Sequence, residues 1–127
     1  MTKYAEVNEI LGKTLVNVVN HGDDEIVFTT VYGEVFKMYH EQDCCEYVRV
    51  EDICGDLQHL VGAPILMAEC AVNEEASGYD SVTWTFYKFA TVKGYVTIRW
   101  CGESNGYYSE RVSFVRLTPA GITQEVA

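Results

Sequence analysis

The chain has 127 residues, 48% hydrophobic, 13% aromatic and 22% charged, a composition that suits a globular fold with a real core and argues against disorder. Nineteen Asp and Glu against nine Lys and Arg give a formal charge of −10, which argues against non-specific binding to nucleic acid or anionic membrane. No apolar run is long enough to span a bilayer, and "MTKYAEVNEI" lacks the apolar core of a secretory signal, so a cytoplasmic protein is expected.

In chain order, "TKYAEVNEILGK" predicts a short helix, with Tyr4, Val7 and Leu11 on one face, Thr2 as cap and Gly12 as stop. Strands are predicted at 14–20, 25–31 and 34–40, joined as a meander by turns at "HGDD" and Tyr32-Gly33. Another strand is predicted at 47–52, and Asp56 caps a short helix near 56–61. An apolar run at 63–71 follows, then "VNEEASGYD" (72–80), which reads as a polar loop. Three strands close the chain at 81–92, 94–102 and 106–117. The expectation is an α+β fold dominated by antiparallel sheet. A single domain covers 1–127, with its core over about 11–117 and a tail at 118–127.

Asn105-Gly106 carries the chemistry of a hairpin turn. A three-residue loop there sets Ile98 opposite Val112 and Val96 opposite Phe114 on one apolar face. The other face then brings Arg99 opposite Arg111, Cys101 opposite Ser109 and Glu103 opposite Tyr107. A two-residue turn at Lys93-Gly94 adds Lys88 beside Arg99, with Phe86 and Trp84 following. This predicts a basic, aromatic sheet face. Lys88, Arg99 and Arg111 supply charge, Trp84, Phe86 and Tyr107 supply stacking, and Glu103 and Ser104 supply hydrogen bonds. A small anionic, nucleotide-like ligand suits it. The competing possibility is that the acidic segment 41–56 folds over this face and neutralises it.

Metal-ligand residue types occur at "HEQDCCE", where His40, Cys44 and Cys45 are weak candidates. Adjacent cysteines on a strand point to opposite faces, so both reach one ion only from a loop. A Cys-His nucleophile is opposed by Glu41, Asp43 and Glu46, which disfavour a thiolate. Five cysteines without a C-x-x-C predict reduced thiols. No phosphate loop, Gly-x-Ser-x-Gly or His-Glu-x-x-His is present, and no catalytic residues or cofactor are assigned. A non-enzymatic binding protein is expected. The alternatives are an acidic inhibitor or nucleic-acid mimic that blocks a basic surface of a host protein, and a small zinc-binding module. Exposed aromatic strands leave room for a homo-oligomer.

The segments "HEQDCCEYV", "EDICGDLQHLVGAPIL", "TWTFYKFATVKGYVTIRW" and "GESNGYYSE", in that order, resemble an uncharacterised family of small acidic proteins carried by phages and bacterial genomes. The resemblance spans about Leu11 to Phe114. It implies a phage-associated accessory protein in the host cytoplasm, acting in counter-defence by binding an enzyme or sequestering a nucleotide signal. It assigns no residue a role.

Overall fold

The structure, a computed structural model, describes residues 2–77 and 80–117. Among the described residues nine strands build two sheets: β1 (Thr2–Tyr4), β2 (Leu15–His21), β3 (Glu25–Thr30), β4 (Val35–Tyr39), β5 (Tyr47–Cys54), β6 (Met67–Ser77), β7 (Asp80–Thr91), β8 (Gly94–Ser104) and β9 (Ser113–Leu117). One sheet has the order β1-β9-β4-β3-β2 and the other β5-β8-β7-β6, with antiparallel neighbours throughout. Alternation along β3 and β4 places Ile26, Phe28, Phe36 and Met38 inward. They meet Phe89, Val96, Ile98 and Trp100 from the second sheet in one core. Phe28 touches Phe89 and Phe114, and the Trp100 indole N–H donates to Met38 Sδ at 3.1 Å. Among the described residues, no helix is long and apolar enough to cross a membrane.

The meander, the strand at 47–52 and the long strands 80–91 and 94–104 follow the sequence expectation. So does the Asp56 cap, which accepts from Gln58 N–H at 2.9 Å ahead of the turn Leu57–Leu60. The helices do not. Both are single 3₁₀ turns, at Val7–Ile10 and Leu57–Leu60, and no α-helix occurs among the described residues, so the fold is mostly β and not α+β. Helices this short are marginal, and pairing with β9 gives Thr2–Tyr4 a better use for its backbone groups.

Residues 72–77 are strand and not loop, paired with β7 through Ser77↔Asp80. An edge strand wetted on both faces tolerates Asn73, Glu74 and Glu75, and such a composition resembles a loop. Residues 78–79 and the 118–127 tail lie outside the described residues.

The larger correction concerns the last hairpin. β8 and β9 do not pair. After Ser104 the chain crosses to the other sheet, and β9 lies between β4 and β1. Gly106 does take a positive φ of 90°, and Asn105 Oδ1 accepts from Tyr107 N–H at 3.0 Å, so the turn is real but opens a crossover. The β7–β8 register differs from the expected one by two residues, Lys88 facing Thr97 and Phe86 facing Arg99. A shift of two preserves the face of every side chain.

Candidate functional site

The outer face of the β5-β8-β7-β6 sheet carries Trp84, Phe86, Lys88, Arg99 and Glu103, five of the eight expected ligand residues. The Arg99 guanidinium sits 5.1 Å above the Trp84 ring and 3.4 Å from Asp52. Glu103 pairs with Arg49 at 2.7 Å, and Arg49 also holds Glu51 at 3.0 Å and covers the Tyr47 ring. Glu51 and Asp52 of β5 and Glu103 of β8 thus neutralise both arginines of this face from within the sheet. Residues 47–54 extend the sheet beside β8 and do not fold over the face as the competing expectation had segment 41–56 do. Lys88 is exposed and pairs with no carboxylate among the described residues.

The other three residues lie elsewhere because the hairpin that would gather them does not form. Tyr107 is exposed in the crossover, its ring against Tyr108. Ser104 faces inward and bonds to Glu110. Arg111 is exposed in the segment just before β9, and no strand pairing sets it opposite Arg99, so the expected like-charge pair does not form.

The inner face holds the principal cavity, about 810 Å³, between β6–β7 on one side and the β1-to-Ile10 segment with residues 108–114 on the other. Its origin is a pattern in β7. Ser81, Thr83, Thr85 and Tyr87 occupy alternate positions and all face inward, opposite Ser104, Gly102, Trp100 and Ile98 of β8. Small side chains at 81–85 do not fill the space between the sheets, whereas Phe89 does.

Glu110 sits at the base of this cleft and is only 7% exposed. Its Oε1 accepts from Thr83 Oγ1 at 2.6 Å and from Ser81 Oγ at 3.2 Å, while Oε2 accepts from Ser104 Oγ. Gly102 makes room for it: a Cβ there would lie 2.7 Å from Glu110 Cβ. No cation pairs with Glu110 among the described residues. Glu6, Glu9 and Glu74 line the cleft nearer solvent, with Arg111 as the one cation among the lining residues. Burial pushes the Cys70 thiol and the Tyr87 hydroxyl up, so neither is a ready nucleophile or base.

A second, shallower depression of about 600 Å³ adjoins the first and is lined by Tyr4, His40 to Asp43, Ser109, Arg111 and Ser113. Here Glu46 is buried and organises its loop. It accepts from the N–H groups of Cys44 and Asp43 at 2.9 Å each and meets His40 Nε2 at 2.7 Å. The Cys44 N–H, the His40 ring and the Asp43 N–H lower its pKa to about 2. His40 Nδ1 donates to the Arg111 carbonyl at 2.6 Å, so both ring nitrogens are engaged and His40 is not free to hold a metal. Cys44 and Cys45 are both exposed in a bend and joined as a disulfide, where the sequence predicted reduced thiols. The bend, held by Glu46, removes the strand alternation that would send the two side chains to opposite faces. Among the described residues no three His, Cys, Asp or Glu side chains converge as a metal set.

A family model described as a domain of unknown function (DUF7448) matches residues 8–114. The chain belongs to that family. No curated protein and no solved structure matches it. The two buried carboxylates among the described residues of this DUF7448 chain, Glu46 and Glu110, fall within the matched span and end the segments "HEQDCCE" and "GESNGYYSE". Sequence reasoning named Glu46 only as one of the acids that disfavour a thiolate and gave Glu110 no role. The signal that could have found Glu110's cradle is the run of hydroxyls at every second residue from Ser81 to Tyr87.

Proposed function

We propose that this DUF7448 protein is a non-enzymatic binding protein whose site is the inner cleft, and that its ligand is a small cation. The observation that carries the reading is Glu110, a carboxylate withdrawn from water with three hydroxyl donors and no cation beside it. Hydroxyl donors offset only part of the cost of withdrawing a carboxyl group from water, and a positive charge beside it offsets more. Three more carboxylates against one arginine give the cleft a potential that attracts cations. Its volume of about 810 Å³ falls in the range of small-molecule sites. The raised thiol of Cys70, with no base paired to it, supports binding over catalysis. The resemblance to phage-borne proteins suggests the setting, sequestration of a ligand in the host cytoplasm during infection.

A second reading is favoured by Arg99 stacked on Trp84, with Phe86 and Lys88 on the same face: a phosphate-bearing, base-containing ligand laid on the outer sheet. One thermal-shift experiment separates the two, because a ligand raises Tm only by binding the folded chain. Butylamine, butanol, inorganic phosphate and ATP are compared on the native chain, Glu110→Gln and Arg99→Ala. The cleft reading expects stabilisation by butylamine alone, lost in Glu110→Gln and kept in Arg99→Ala. Stabilisation by ATP or phosphate that is lost in Arg99→Ala would replace it with the second reading.

A further inference from the structure

The carboxylates of the cleft are not gathered at a point. Glu74 stands opposite Thr83 in the β6–β7 register, and Thr83 donates to Glu110, so these two acids share one end. Glu6 belongs to the other end. Its neighbour Ala5 donates its N–H to the Phe114 carbonyl at 2.9 Å, the Tyr87 hydroxyl donates to the Val112 carbonyl two residues away, and Cys70 stands opposite Tyr87. From Cys70 to Glu74 is four residues of extended chain, about 13 Å at the rise of a β-strand. Between them on the same face of β6 is Val72, 58% exposed, with Thr85 opposite and Ala5 and Val7 among the residues lining the cleft. The order along the cleft is therefore acid, apolar, acid. Thr83, Thr85 and Tyr87 stand beside it at backbone intervals of about 6.7 Å.

Each simpler ligand misfits part of this arrangement. A metal ion needs converging oxygens, and the described acids do not converge. A compact monocation meets Glu110 and leaves Glu6 unused. An anion meets four carboxylates.

We propose that the cleft takes a linear polyamine, an aliphatic chain with ammonium groups near both ends. One ammonium lies between Glu110 and Glu74, the methylenes cover Val72, and the other ammonium reaches Glu6. Arg111, the cation at the rim, competes with the ligand. This rests on the cleft being the ligand site, and the experiment keeps the two claims apart.

The test is isothermal titration calorimetry of the full chain with α,ω-diamines from diaminopropane to diaminododecane, with spermidine, and with the monoamine of each length. The expected result is an affinity that rises with chain length and peaks where the ammonium groups span about 13 Å, about tenfold or more tighter than the matched monoamine. Glu6→Gln removes the advantage of the diamine over the monoamine. Arg111→Gln tightens both, and Arg99→Ala changes neither. Equal binding of monoamines and diamines at every length overturns the polyamine assignment and leaves the cleft as a monocation site. No binding of any amine overturns both.

Discussion

The two faces of the β5-β8-β7-β6 sheet carry the same chemical vocabulary and use it differently. On the outer face every arginine has an aromatic ring beneath it and a carboxylate beside it, Arg99 with Trp84 and Asp52, Arg49 with Tyr47, Glu51 and Glu103. On the inner face Glu110 is buried with hydroxyls alone. The outer charges hold structure through their partners, while Glu110, with no cation beside it among the described residues, is the group to which the proposed reading assigns a ligand. The inner face also differs from end to end. Phe89, Val96, Ile98 and Trp100 close the sheets at one end, and Ser81, Thr83 and Gly102 leave them apart at the other.

The sharpest way to break this comparison is at the closed end. Trp100→Ala removes the largest fully buried side chain and is expected to cost about 3–5 kcal/mol in chemical denaturation. A loss under about 1 kcal/mol would mean that the sheets do not pack there as described. At the open end, Gly102→Ala drives a methyl group into Glu110. A loss of about 1–3 kcal/mol is expected, with weakened amine binding. Unchanged stability and binding would show that Glu110 does not depend on this close approach.

The other buried carboxylate gives a prediction in pH. Glu46 titrates at about 2 in the fold against an ordinary 4.5, so its stabilisation is complete above the ordinary value and is lost as pH falls towards 2. Thermal unfolding of the native chain should therefore weaken between those limits, and Glu46→Gln should flatten that part of the profile. An identical acid profile in the variant would remove Glu46 from the account. The smallest effect belongs to the outer face. Arg99→Ala breaks a pair whose side chains are 40% and 46% exposed and should change stability by less than about 1 kcal/mol. A larger loss would show that the outer charges support the fold.

Period-two patterning was enough to place Trp84, Phe86, Lys88, Arg99 and Glu103 on one face, and that assignment survived a register error of two residues because the strand repeat is itself two. It failed where sheet membership mattered. Nothing local in "CGESNGYYSE" distinguishes a turn that returns to its own sheet from one that crosses to another, so Ser104, Tyr107 and Arg111 were assembled on a hairpin that does not exist. The N-terminal helix failed because spacing alone cannot anticipate the unpaired edge of β9. Glu110 was missed for a related reason. Its hydroxyl partners come from β7 and β8, and only the crossover brings it over them.

The measurement that bears most directly on the inner cleft is amide chemical-shift mapping of the ¹⁵N-labelled chain during titration with butylamine. The account predicts saturable shifts at Ser81, Thr83, Glu110 and Arg111, absent in Glu110→Gln. Shifts confined to Trp84, Phe86 and Arg99, or no saturable shifts at all, would contradict it.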